Sequence, residues 1–311
     1  MKHLTAFIKN FCEHYHYPDE AVKEIYRIEQ RLDDDESFAA RFDAAVEGYL
    51  LPETDGIKEA LEKIATLAEE YKENEYTLNL VFLLNCTPIL KGRYAKVDIP
   101  ENIFWDTMDD MRCKLIECMN CEEVVGIFVP DWYDGFFKMS RFAYGRFQYE
   151  INTYDYDFDF TTACGKRITC GDKLINFHIP SSGVPLTDEV RFDSYRRAYE
   201  AYKNYFPDGK VIFCCGSWLL YPKHREFLPQ NLNILRFMDD FEIVTWKESD
   251  NFSNGWRVFG KDSDLPLEQL PRNTSLRRAY ADWLCAGNKA GSAFGVFVFD
   301  GEKILKGDNI K

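Results

Sequence analysis

Residues 174–215 read LINFHIPSSGVPLTDEVRFDSYRRAYEAYKNYFPDGKVIFCC, and this stretch decides the fold. From Leu174 to Ile179 the alternation puts Ile175, Phe177 and Ile179 on one face and Asn176 and His178 on the other, as in a strand with one polar side. Pro180 breaks that run. Thr187 can cap a helix, Asp188 and Glu189 suit its positive end, and Tyr195, Ala198, Tyr199, Tyr202 and Tyr205 form its buried stripe before Pro207. Val211 to Cys215 is a second short apolar strand. Strand, helix and strand in this order make a right-handed crossover between parallel neighbours.

The surrounding segments extend this sheet in both directions. Upstream, Phe136–Met139, Tyr144–Ile151, Phe158–Ala163 and Arg167–Cys170 are aromatic and β-branched runs broken by turns at Gly165-Lys166 and Gly171-Asp172, which predicts an antiparallel meander. Downstream come a largely helical Pro222–Phe241, strands at Ile243–Lys247 and Trp256–Phe259, a helix at Leu276–Cys285 and a closing strand at Phe294–Phe299. The first part of the chain differs. Apolar residues recur there at three- and four-residue steps: Leu4, Phe7, Ile8 and Phe11 in one stripe, Val22, Ile25 and Leu32 after Pro18, and Phe38, Phe42 and Tyr49 after a cap at Ser37. Pro52 stops that helix, a fourth starts near Asp55, a fifth covers Tyr76–Leu84, and a sixth follows Pro100. The expected class is α+β, with a helical domain at 1–123 and a mixed, mostly antiparallel sheet flanked by helices at 124–311.

With 311 residues, two domains are the ordinary expectation. A formal charge of −14, spread along the chain, excludes the basic footprint of a nucleic-acid binder. The longest apolar run, Leu80 to Leu84, is far short of the ~20 residues that cross a bilayer. No signal peptide is visible near Met1, and ten cysteines without one are expected to be thiols, so a cytoplasmic protein with no membrane partner is the expectation.

Several motifs become specific when read together. They are Phe177-His178-Ile179-Pro180-Ser181-Ser182-Gly183, Pro185-Leu186, Cys215-Gly216-Ser217-Trp218-Leu219-Leu220-Tyr221-Pro222, Phe227-Leu228-Pro229 and, upstream, Phe137-Lys138-Met139-Ser140-Arg141-Phe142 with Arg146-Phe147-Gln148-Tyr149-Glu150. In these the chain resembles a bacterial acyltransferase-domain family, in which a helical N-acyltransferase domain precedes a GNAT-like domain. The resemblance covers roughly 136–241 well. It implies an acyl-CoA-dependent N-acyltransferase that moves an acyl group from acetyl-CoA or another acyl-CoA to a small-molecule or peptide amine.

In that family the strand before the crossover helix splays from its parallel neighbour, and the donor's pyrophosphate rests on main-chain amides at the helix start. The resemblance thereby assigns the pyrophosphate to Ser181, Ser182 and Gly183, although this segment has one glycine where the family pattern has several. A plain turn between strand and helix is the structural alternative. His178 is the expected base for the amine, against a structural histidine tying the loop to the next strand. Ser217 or Tyr221 is expected to protonate the leaving thiolate, against a helix-entry aromatic in the second case. Cys214, Cys215 and Ser217 would neighbour the histidine, which also leaves room for an acyl-enzyme, although Gly216-Ser217-Trp218 is not a nucleophile elbow. The acceptor is expected at the junction of the two parts. A non-catalytic binding or scaffold protein that kept the sheet and lost the phosphate loop is the alternative function. A continuous ladder beside His178 would favour it.

Other signals carry less. Cys113, Cys118 and Cys121 have iron–sulfur spacing, but on one helix the outer pair stands roughly 12 Å apart along the axis. Cys164 and Cys170 flank a turn without a second pair to bind zinc. Asp155, Asp157 and Asp159 lack the glycine of a calcium loop, and Gly287, Gly291 and Gly295 lack nucleotide-motif spacing. No metal is expected.

Overall fold

The computed structural model of the chain describes residues 5–50 and 56–307. Leu4, Pro52 and Asp55, read above as parts of helices or their ends, lie outside them. The chain divides into two compact units, Met1–Ser140 and Arg141–Lys311.

The first unit is helical, with α1 (Ala6–His14), α2 (Asp19–Asp34), α3 (Glu36–Tyr49), α4 (Ile57–Tyr71), α5 (Glu75–Lys96), α6 (Glu101–Cys121) and α7 (Asp134–Phe137). Side-chain caps start several of them. The Asn74 side chain accepts from the amides of Tyr76 and Thr77, and Asp35, rather than Ser37, caps α3 by accepting from Phe38. Leu78 to Leu84 is buried without a break, so α5 is apolar all round and the other long helices pack about it. This helix runs past the expected Leu84 to Lys96 and carries Pro88 inside.

Residues 124–140, expected to open the sheet, belong to this helical unit. The amide of Ile127 donates to the Tyr76 carbonyl at 2.9 Å, and the Thr77 hydroxyl to the Val125 carbonyl at 2.7 Å. Gly126 lies so close to α5 that a Cβ there would stand 2.4 Å from the Tyr76 carbonyl carbon. Phe136–Met139, expected as a strand, enters α7 and its exit turn, because Phe136 and Phe137 are both buried and a one-faced strand would bury only one of two neighbours.

The second unit is built on a seven-stranded sheet. Its elements are β1 (Arg141–Tyr144), β2 (Phe147–Thr153), β3 (Phe160–Thr161), β4 (Arg167–Ile168), β5 (Lys173–His178), α8 (Asp188–Tyr202), β6 (Val211–Ser217), α9 (His224–Phe227), α10 (Asn233–Met238), β7 (Glu242–Ser249), α11 (Trp256–Phe259), α12 (Ser275–Cys285), β8 (Ala290–Phe299) and β9 (Ile304–Leu305). The order is β1-β2-β5-β6-β8-β7 with β9 on β8, and every pair is antiparallel except β5 with β6. The crossover through α8 is therefore the expected one. β3 and β4 leave the meander as a separate two-stranded hairpin, since the aspartates before Phe160 and the exposed Phe158 suit a surface excursion better than a sheet interior. The helical stretch 222–241 breaks at Leu228-Pro229 into α9 and α10. Trp256–Phe259 is a helical turn rather than a strand, with the amide of Phe259 donating to the Gly255 carbonyl, an ambiguity inherent in a short apolar run.

Aromatic rings fill the space between sheet and α8. Tyr195 packs on Phe297 with centroids 4.8 Å apart, and Phe147 on Phe177 at the same separation. Within this core Arg191 of α8 is 2% exposed. Its Nε donates to Asp240 at 2.7 Å, its Nη1 to the Leu186 carbonyl at 2.7 Å, and Tyr195 donates its hydroxyl to Asp240 at 2.9 Å. The charge is paired and the lone pairs are used, as burial requires.

Two predictions follow from these buried groups. Asp240→Ala leaves the Arg191 guanidinium unpaired and is expected to cost about 3–5 kcal/mol in chemical denaturation. His224 is fully buried against the Tyr280 hydroxyl, and burial pulls its imidazole down to about 4. Because its folded value lies below the unfolded value of about 6.5, the unfolded chain binds the extra proton and stability falls as pH drops from 6.5 toward 4. Unfolding at pH 5 should require about 2 kcal/mol less than at pH 7 on this account, and His224→Gln should flatten that part of the profile.

Candidate functional site

The sheet opens beside His178. β5 and β6 face each other only through Ile175 with Phe213 and Asn176 with Cys214. Beyond these pairs β5 stays with β2, His178 opposite Gln148, whereas β6 stays with β8, Ser217 opposite Ala293. Gly216 is consequently exposed although its strand is interior. A Cβ built on it would meet only Phe294 Cδ2, at 3.9 Å. The exposed glycine marks the space that β5 has left.

On the face opposite α8, a polar cluster borders this opening. His178 Nε2 lies 2.6 Å from Glu150 Oε1, and Arg141 Nε donates to Glu150 Oε2 at 3.0 Å. The Asn176 amide reaches both Glu150 Oε1 at 3.3 Å and His178 Nε2 at 3.2 Å. Burial by itself would raise the Glu150 carboxyl, but the hydrogen bond from His178 and the Arg141 charge outweigh it and bring the group down to about 2. Glu150 is thus an anion that orients the imidazole through Nε2. The sequence reading placed His178 and Asn176 on the polar face, where they are. It missed Glu150 and Arg141, whose signal was the alternation of β2 opposite β5, readable only once the register is known.

The loop from Ile179 to Thr187 is tied down by two arginines. Arg146 Nε donates to the Val184 carbonyl at 3.1 Å, while Arg191 holds Leu186. Ser182 Oγ accepts from the Val184 amide, and Gly183 has φ of +78° with nothing within 4 Å of a built Cβ. Ser181, Ser182 and Gly183 therefore form a partly exposed bend beside a cation, Arg146, which sequence reading also missed. At the start of α8 the acidic Asp188 pairs with Arg191 at 3.1 Å.

The other expected site residues lie elsewhere. Ser217 and Cys215 alternate to the opposite face from Cys214, and Ser217 Oγ accepts from the Leu219 amide at 3.1 Å, which leaves its own hydroxyl proton available. Cys214 shares the face of His178, but its thiol points to Asn176 Oδ1 at 3.8 Å, and burial pushes it well above the ordinary thiol range. Tyr221 is fully buried and donates to Glu248 of β7 at 2.7 Å. Among the described residues no group of three or more His, Cys, Asp or Glu is placed to hold a metal, and no helix is long and apolar enough to cross a membrane.

Residues 6–139 match the model of an N-acyltransferase N-terminal domain, and residues 142–297 that of a GNAT-like C-terminal domain. The chain belongs to this acyltransferase family. The two matched regions abut where the two units meet, at Ser140 and Arg141. Solved structures with the same fold include an acyltransferase in complex with decanoyl-CoA and teicoplanin, at a TM-score of 0.70 and 19% identity, over 93% of this chain and 86% of that one. A mutant acyltransferase in complex with octanoyl-CoA matches at 0.69 and 18% identity over the same shares, and an acyltransferase in complex with decanoyl-CoA at 0.60 and 20%, over 93% and 98%. No curated protein matches the chain.

In this acyltransferase-family protein the half-buried Arg141–Glu150 pair should behave as one unit with His178. Arg141→Met and Glu150→Gln are expected to be non-additive in unfolding experiments, with a coupling of about 1 kcal/mol, whereas independent surface residues would add.

Proposed function

We propose that this protein transfers an acyl group from an acyl-CoA thioester to an amine, and that the reaction takes place at His178, beside the parting of β5 and β6. The observation that carries the proposal is the parallel ladder that stops after Asn176 and Cys214 and leaves Gly216 open. A filled sheet would have suited a scaffold that had lost the activity.

In this reading the bend at Ser181, Ser182 and Gly183 meets the diphosphate, and Arg146 supplies the counter-charge that acidic Asp188 and Glu189 do not. His178, held by Glu150, takes a proton from the acceptor's ammonium, and the neutral amine nitrogen so formed bonds to the thioester carbonyl carbon. The C–S bond then breaks, and the second proton of the amine nitrogen passes to the departing sulfur; Ser217, on the α8 face of β6, and Tyr221, whose proton is committed to Glu248, are both less well placed to supply it. A buried, protonated Cys214 argues for direct transfer to the amine over an acyl-enzyme. The acceptor is a small-molecule or peptide amine. Teicoplanin, bound in one neighbouring structure and present as 10C-teicoplanin in another, is a first probe of that class. The net charge of −14 favours an ammonium over an anionic acceptor.

Calorimetric titration with CoA and octanoyl-CoA, followed by thiol release with a panel of amines, tests this. Saturable binding is expected for the wild type, and Gly216→Trp, whose side chain fills the opening, should abolish it while the protein stays folded. His178→Ala should bind the donor normally and lose about 10²–10⁴ in kcat, with Glu150→Gln in between. If neither thioester nor free CoA binds, the non-catalytic alternative stands.

A further inference from the structure

The face of the sheet that carries His178 and Gly216 continues into a row of aromatic rings. Phe294 of β8 lies directly opposite Gly216, and among the described residues, chain neighbours aside, its ring edge alone comes within 4 Å of a Cβ built there. Tyr156 packs on Phe294 with centroids 5.3 Å apart, and Phe158 on Tyr156 at 5.3 Å. Phe294 and Tyr156 are half-buried, and Phe158 is 43% exposed.

Tyr156 and Phe158 belong to the excursion that carries β3 and β4, and the fold holds this excursion over the sheet. At its base the Tyr154 amide donates to the Asp172 carbonyl at 2.8 Å, and the Gly171 amide returns to the Tyr154 carbonyl at 2.9 Å. Toward its tip the Ala163 amide donates to Glu242 of β7 at 2.6 Å, and Glu242 stands opposite Val296, on the face shared with Phe294. A segment whose own ladder is only two residue pairs long is thus fastened at both ends to the sheet it crosses. The rings it presents start at the opening and run outward.

Resting on the acyl-CoA reading above, we infer that the acyl chain of the donor lies along Phe294, Tyr156 and Phe158, so that the protein selects a medium-length aliphatic chain over acetyl. The ring faces and edges of this row suit an aliphatic chain, and an acetyl group is too short to reach past Phe294. Each methylene wholly removed from water improves affinity about fourfold, and a chain covered on one side gains about half of that free energy, or roughly twofold. Six additional methylenes then favour octanoyl over acetyl by roughly 50-fold.

Calorimetric titration of the full-length protein with CoA, acetyl-CoA and octanoyl-CoA reads this directly and needs no acceptor. Octanoyl-CoA is expected to bind at least tenfold tighter than acetyl-CoA. Phe158→Ser, a surface change that leaves the core intact, and Phe294→Ala should each remove several-fold of the octanoyl advantage without altering acetyl-CoA binding. Equal affinity for the two thioesters overturns the inference, as does an octanoyl preference that survives both substitutions, and either result leaves the acyltransferase reading in place. Failure of all three ligands to bind sinks the acyltransferase reading and the inference with it.

Discussion

Two residue pairs hold the parallel part of the sheet together, and the rest of the second unit depends on that shortness. Ile175 with Phe213 and Asn176 with Cys214 join two antiparallel halves, β1-β2-β5 and β6-β8-β7, into one sheet. Each half keeps its own ladder beyond this point, which pulls the strands to different neighbours. Pro180 then removes an amide that could have continued the ladder, and Gly183 turns the chain away in a left-handed conformation. On the α8 side the aromatic packing around Phe177, Phe213 and Tyr195 keeps the halves from separating altogether. The opening is confined to one end of the two strands.

The two faces of this joint use charge in opposite ways. Toward α8, Arg191 and Asp240 are buried together with Tyr195, and their role is to hold the crossover helix and its entry loop in place. On the other face Glu150, Arg141 and His178 keep about a tenth to a quarter of their side-chain surface in water. That exposure keeps an imidazole within reach of solvent while its carboxylate partner remains ionised. The same kind of pairing is thus dry on the face that holds α8 and partly wet on the face that carries His178.

The helical unit rests on a simpler principle. α5 is apolar on every side, so it is stable only when other helices surround it, and the chain provides them before and after it in sequence. The close approach of Gly126 to α5 draws the segment after α6 into this unit. Further along, Trp132 donates to Asp110 and Asp134 accepts from the Ile57 amide, so the chain stays with this unit as far as Ser140.

Local chemistry determined much of this without help from tertiary structure. The period of the apolar residues specified the helices of the first unit, the strand–helix–strand order specified the parallel pair and its crossover, and alternation alone placed His178 and Asn176 on the polar face. What depended on partners distant in the chain was not legible. Glu150 and Arg141 join His178 only through the register of β2 with β5 and β1, and no spacing in the sequence encodes a register. Short apolar runs such as Phe136–Met139 and Trp256–Phe259 satisfy strand and helix patterns alike, so packing chose between them. The opening itself, with Gly216 bare beside it, came from the competition between two ladders for the same strands, and such a competition exists only once the chain has folded.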